Sequence, residues 1–146
     1  MATKWAADAI DIGIVTVNRE KMLHFYRDIL GMTHEEDRRT TAGLMHRMRC
    51  GKTLVKLLQF DDPPKVKAPP GGIRGATGIR YLTVFVKDLD SMLAKCKKAG
   101  VKLSHEPYNN NHGLIVSGVE DPDGNEVELV KIVPMPKAAK SKAKAK

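Results

Sequence analysis

Two stretches of this 146-residue chain decide its architecture: IDIGIVTVNREKMLHFYRDILG at residues 10–31 and IRYLTVFVKDLDSMLAKCKKAG at residues 79–100. Each begins with a run rich in β-branched residues that ends at a valine, Val17 or Val86. A helical pattern follows and ends at a glycine, Gly31 or Gly100. The valine and the glycine are 14 residues apart in both copies, and the copies are offset by 69 residues. Because an internal repeat reuses one structural unit, we predict two similar modules.

The first module is predicted over residues 9–60 as a strand, a helix and three further strands. Its helix carries apolar residues at helical spacing from Met22 to Leu30, and Gly31 is a natural C-terminal stop. The second module, over residues 79–132, repeats this order and includes a Pro-Asp-Gly turn at residues 121–125. An irregular linker at residues 61–78 joins the modules. We therefore predict one α+β domain over residues 1–136.

Net charge and composition narrow the possible partners. The formal charge is +8, but five of the lysines lie in the last ten residues, so the rest of the chain carries only +3. Residues 137–146 contain no apolar side chain larger than alanine, which predicts a disordered tail with weak affinity for polyanions. Two cysteines and the absence of a long apolar run predict a cytoplasmic protein with no membrane span.

Two short motifs add a family resemblance. The tandem β-α-β-β-β units, with FYRDILG at residues 25–31 and EDPDGNEVEL at residues 120–129, resemble the vicinal oxygen chelate superfamily of glyoxalases, bleomycin resistance proteins and extradiol dioxygenases. The resemblance covers residues 9 to about 132. It implies a cup-shaped barrel of eight strands with the helices outside. Such modules pair within one chain or across a homodimer, and we expect a homodimer.

The resemblance also implies four positions for a divalent metal. Metal-dependent members of the superfamily place one ligand, typically His or Glu, on the first and last strand of each module. The matching positions here are Asp11 or Ile12, Lys56, Tyr81 and Glu128. Only Glu128 is a clear match, because isoleucine has no donor atom and an ammonium group repels a cation. We expect no metal cofactor, and a divalent ion is the disfavoured alternative.

These altered positions form the predicted site. Counting by strand alternation from the positions that the resemblance implies gives a mostly apolar cup. It would be lined by Ile12, Ile14, Thr16, Leu54, Lys56, Leu58, Tyr81, Thr83, Phe85, Glu126, Glu128 and Val130. Lys56 could pair with Glu128 or hold an anionic group of a ligand, and Tyr81 could donate a hydrogen bond beside it. His46 alternates with hydrophobic residues and could face the cup as an acid or base, whereas the histidine spacing only weakly suggests a metal site.

Three functions are compatible with these features. The favoured one is metal-independent binding or sequestration of a small molecule, which requires an apolar cleft. The second is a glyoxalase-like lyase, isomerase or dioxygenase, for which Glu128, Lys56, Tyr81 and His46 are the candidate catalytic residues. The third is an accessory protein that associates with polyanions through the Lys-rich tail, with binding that weakens as salt is added.

Overall fold

The computed structural model describes residues 4–135, so the predicted tail and its polyanion binding lie outside the described residues. The first module contains β1 (Asp11–Val15), α1 (Arg19–Leu23) with a π-helical continuation (His24–Ile29), β2 (Thr33–Arg39), β3 (Gly43–Cys50) and β4 (Thr53–Phe60). A 3₁₀ turn (Gly72–Arg74) interrupts the connecting segment. The second module contains β5 (Tyr81–Phe85), α2 (Leu89–Lys98), β6 (Leu103–Asn109), β7 (Leu114–Glu120) and β8 (Glu126–Ile132). No helix in these residues is long and apolar enough to cross a membrane.

The strands form two four-stranded sheets with the same topology. The strand order is β1-β4-β3-β2 in the first sheet and β5-β8-β7-β6 in the second. In each sheet the first and last strands of the module run parallel, while the other pairs are antiparallel. The predicted α+β class with repeated β-α-β-β-β modules is therefore confirmed.

One face of each sheet contributes to a single hydrophobic core. The first sheet supplies Met48 and Leu57, and the second supplies Val127 and Leu129. Helical residues from both modules, including Phe25 and Tyr26, belong to the same cluster, as do Leu89 and Cys96. The two modules consequently share one core, and we call the sheet faces that build it the core faces.

The opposite face of each sheet carries no member of this core, and we call these surfaces the open faces. The open face of the first sheet is set by the pairs Asp11–Leu54, Gly13–Lys56 and Val15–Leu58. That of the second sheet is set by Tyr81–Glu126, Thr83–Glu128 and Phe85–Val130. Residues paired in a ladder point to the same side, so each open face presents a defined set of side chains.

The first strand differs from the sequence prediction by one residue. Ile12 pairs with Val55 and Ile14 with Leu57, so both lie on the core face. Asp11 pairs with Leu54 on the open face, and its side chain contacts Lys56. Thr16 follows Ile14 by two residues, so it points to the same side as Ile14, and its side chain is buried. It therefore does not line the predicted cup. The assignment of Ile12, Ile14 and Thr16 to the same face as Lys56 was therefore wrong, and Asp11 is a residue of β1 that lies on that face.

The cause of this shift is the π-helical segment of the first module. Leu30 N–H donates to the Phe25 carbonyl, a five-residue step that accommodates one extra residue. Thr16 N–H bonds Leu58 O at 2.9 Å, as Val86 N–H bonds Val130 O at 2.8 Å, which makes Thr16 the counterpart of Val86. The strands are thus offset by 70 residues and the terminal glycines by 69.

Candidate functional site

An ion pair occupies the open face of the first sheet. Asp11 begins β1 and Lys56 lies in the centre of the neighbouring parallel strand β4. The Lys56 Nζ atom lies 3.1 Å from Asp11 Oδ2, and the two side chains are 28% and 45% exposed. The ammonium group is thus reachable by a ligand and already neutralised by a carboxylate.

A hydrogen-bonded carboxylate occupies the equivalent place on the second sheet. Thr83 Oγ1 donates a 2.8 Å hydrogen bond to Glu128 Oε2 from the adjacent strand. Tyr81, 48% exposed, lies one pair further along the same face. Within the described residues, the ion pair of Lys56 is made with Asp11, so the predicted alternative pairing of Lys56 with Glu128 is not formed.

A second carboxylate on this face is buried. Glu126 is 3% exposed and accepts a hydrogen bond from the Ser104 hydroxyl, while His105 Nε2 lies 3.9 Å from its Oε1. These groups converge above Gly118, the one position of β7 where no side chain competes for their space. The sequence predicted that Glu126 faces the cup but did not identify its partners, because they come from a separate strand.

The connecting segment covers this carboxylate and forms one wall of a cleft. Arg80 donates to the Gly72 carbonyl at 2.7 Å and to the Pro69 carbonyl at 2.8 Å, which holds residues 69–72 against the second sheet. The cleft beneath them has a volume of about 730 Å³ and is lined in part by His105 and Glu126. A volume of this order accommodates a small organic molecule.

His46 lies away from the open faces. It pairs in register with Leu57, which belongs to the core face, and its side chain is only 1% exposed. Its Nδ1 atom lies 2.6 Å from Asp37 Oδ1. Strand alternation did place His46 beside Met48, but that face is covered by helices, so the prediction that His46 faces the cup was wrong.

The four family positions form a poor metal site. Asp11, Lys56, Tyr81 and Glu128 supply two carboxylates, and one of these is engaged by an ammonium group at 3.1 Å. A divalent ion needs several deprotonated donors, and a lysine cation within the set opposes its binding. The residues present therefore do not fit the metal that the fold family can carry.

The fold agrees with comparisons to known proteins. Residues 10–129 match the model of the Glyoxalase/Bleomycin resistance protein/Dioxygenase superfamily, and the chain belongs to this family. The chain is similar to a probable lactoylglutathione lyase from Synechocystis, with 27% identity over 76% of this chain and 85% of the relative.

Two solved structures show the same fold. A glyoxalase family protein from Bacillus cereus superposes with a TM-score of 0.76 at 16% identity, covering 90% of this chain and 97% of that one. TnmS3, an antibiotic binding protein from Streptomyces, superposes with a TM-score of 0.64 at 21% identity, covering 90% and 98%. At these identities, the likeness extends to the fold and not to the ligand.

Proposed function

We propose that this chain is a small-molecule-binding protein of the superfamily that acts without a metal at the four family positions. The observation that carries the proposal is the Asp11–Lys56 ion pair, which puts an ammonium group where a metal ligand would stand. An ammonium group cannot coordinate a cation, but it can hold an anionic group. Its partial exposure leaves one side of the group free for that contact.

The two open faces suit an amphipathic ligand with an anionic group. Lys56 offers a cation on the first sheet, and Tyr81 and Phe85 offer aromatic surface on the second, with 48% and 61% exposure. Aromatic rings provide large contact areas for apolar ligand groups, while a few polar groups fix the orientation. Binding of the anionic group would compete with Asp11 for the ammonium group.

A second copy of the chain would complete the cup. Both sheets direct their core faces at one common core. Apart from the part covered by residues 69–72, the open faces leave Val15, Tyr81 and Phe85 exposed within residues 4–135. In a symmetric dimer, the open face of the first sheet of each copy can pack against the open face of the second sheet of its partner. The same contact then occurs twice in the dimer. The cup-shaped barrel expected from the family would then form across two chains.

Native mass spectrometry of the full chain, purified from cells without chelator, tests the binding function. We expect a retained or added anionic aromatic ligand to remain bound, and Lys56→Met to weaken its affinity at least tenfold. Lys52→Met is the matched control, because Lys52 also pairs with an aspartate, Asp8, but outside the open faces. Equal affinity of the Lys56→Met variant and the wild type would refute the assigned role of Lys56.

Glu126 favours one catalytic alternative. A buried carboxylate beside a serine and a histidine, in a cleft, is an arrangement that can transfer protons. Lactoylglutathione, the compound in the name of the Synechocystis relative, is the substrate to test. Turnover abolished by Glu126→Gln, in metal-stripped protein, would establish this activity in place of simple binding.

A further inference from the structure

A second group of donor atoms lies on the core face of the first sheet, opposite the Asp11–Lys56 pair. It consists of His34 and Asp37 on β2 and His46 on β3. Asp37 Oδ1 lies 2.7 Å from His34 Nε2 and 2.6 Å from His46 Nδ1. Two imidazole nitrogens and one carboxylate oxygen thus converge within 4.8 Å of one another.

A β-bulge produces this convergence. His34 and Asp37 are three positions apart, so a regular strand would direct their side chains to opposite faces. The pairing of β2 with β3 shifts between His34 and Glu36, which returns both side chains to the face of His46. Bulges redirect side chains in this way and are common beside functional sites.

The burial of the three residues differs in a way that suits a binding site. His46 is 1% exposed, so packing holds its ring in place, while the side chains of His34 and Asp37 are 28% and 46% exposed. The inner ligand is therefore preorganised, and the outer two leave an entry path from solvent. In the part of the chain that the structure describes, the ion pairs of Asp37 are those with the two histidines.

We propose that His34, Asp37 and His46 bind a divalent transition-metal ion such as Zn²⁺. Two neutral imidazoles and one carboxylate are a donor set that such ions favour, with the remaining positions taken by water. Bonds of about 2.0–2.1 Å to a tetrahedral zinc ion place donor atoms roughly 3.3 Å apart. Asp37 Oδ1 must therefore move about 0.6–0.7 Å away from each histidine nitrogen, a shift that the partly exposed side chains of His34 and Asp37 can make.

The protonation of the buried histidine is compatible with metal binding. In the hydrogen-bonded state Nδ1 of His46 donates to Asp37, and the buried Nε2 atom has no partner among the described residues. Coordination through Nδ1 moves the proton to Nε2, so the unpartnered atom changes from an acceptor to a donor. His46 Nε2 is therefore unsatisfied both with and without the metal. The free-energy cost of burying it is similar in the two states and contributes little to the affinity for the metal.

The test uses the full chain without a histidine tag, stripped with chelator and titrated with Zn²⁺ by calorimetry and with Co²⁺ by visible absorption. We expect one equivalent to bind, with cobalt bands typical of low-coordinate nitrogen and oxygen ligands, and a rise in the melting temperature. His34→Ala and Asp37→Asn should each weaken binding at least tenfold. Both residues are partly exposed, so circular dichroism can verify that the variants remain folded.

Two control variants separate this site from other positions. His105→Ala removes a histidine outside the cluster, and Asp11→Asn removes a carboxylate from the family positions; both should bind zinc as the wild type does. The proposal is overturned if the wild type fails to bind one equivalent. It is also overturned if His34→Ala binds with unchanged affinity, or if Asp11→Asn is the variant that loses the ion. The first two outcomes leave the ligand-binding role of Lys56 intact, whereas loss of the ion in Asp11→Asn would also contradict the metal-free function proposed for the family positions.

Discussion

The Tyr26 hydroxyl donates a 2.9 Å hydrogen bond to Asp121 Oδ2, which joins the helix of the first module to the turn before the last strand of the second. Both side chains are buried. Asp121 also accepts hydrogen bonds from the backbone N–H groups of Asp123 and Asn125 and from the Asn125 side chain. The carboxylate is therefore the point at which the turn and the helix meet.

Replacing Tyr26 by phenylalanine should destabilise the protein while preserving its fold. The ring packs as before, but a buried carboxylate loses one donor, which costs about 2 kcal/mol of the free energy of unfolding. Urea denaturation followed by circular dichroism measures this difference. Tyr108→Phe, at a ring that is 52% exposed, is the control and should change the free energy by less than about 0.5 kcal/mol.

The cost of Tyr26→Phe should also increase with pH. Burial raises the pKa of Asp121 above its ordinary value of 3.8, against the hydrogen bonds from Asn125, Tyr26 and Asp123, which lower it. An acid whose pKa is higher in the folded state contributes stability below its unfolded pKa, and that contribution is lost as the pH rises through the folded pKa.

Removing the Tyr26 donor raises the folded pKa of Asp121 further, so ionisation of the carboxyl costs more in the variant. Urea denaturation of wild type and variant between about pH 4 and pH 7 should show a difference in stability that widens toward neutral pH. A difference that stays constant or narrows would contradict this account of Asp121.

Gly118→Ala should disturb the buried carboxylate of the second open face. A Cβ atom at this position would contact Glu126 Oε1 and Ser104 Oγ and would lie 2.6 Å from His105 Nε2. Forcing these groups apart should lower the free energy of unfolding by about 1–3 kcal/mol. Gly13→Ala is the matched strand control, since its Cβ would lie an ordinary 3.4 Å from Leu58 Cδ1.

Phe85→Asp should convert the proposed dimer into a monomer. Phe85 is 61% exposed on the second open face, so the change removes little packing within one chain but places a charge in the expected interface. Light scattering coupled to size-exclusion chromatography gives the molar mass. Val66→Asp, at an 86% exposed residue of the connecting segment, should leave the mass unchanged.

The fold could be predicted from the sequence because its signals are local and occur twice. Apolar spacing and the terminating Gly31 and Gly100 defined both modules. The one-residue error in β1 arose because a π-helical segment adds a residue between Thr16 and Gly31, and apolar periodicity does not reveal that step. Matching the shared glycines therefore placed Ile12 where Asp11 stands.

The site was less predictable because its parts depend on tertiary contacts. The family resemblance identified Lys56 and Glu128 as site positions, but the sequence did not identify the observed partner of either residue. The side chains of His34 and Asp37 lie on the same face of the sheet only because of the bulge between them. This bulge has no clear sequence signal. The burial of Glu126 depends on a connecting segment fixed by Arg80, and that contact spans separate parts of the chain.

The shared core has a consequence for how this chain can change over evolutionary time. Side chains that hold the modules together point inward from the core faces, whereas Asp11, Lys56 and Glu128 project from the other side. Because these three residues lie outside the core, we expect a substitution at any of them to change ligand binding with little effect on the free energy of unfolding. The same scaffold can therefore exchange one ligand for another by few mutations, while neither half of the repeat can be separated from its partner without exposing the interior of both.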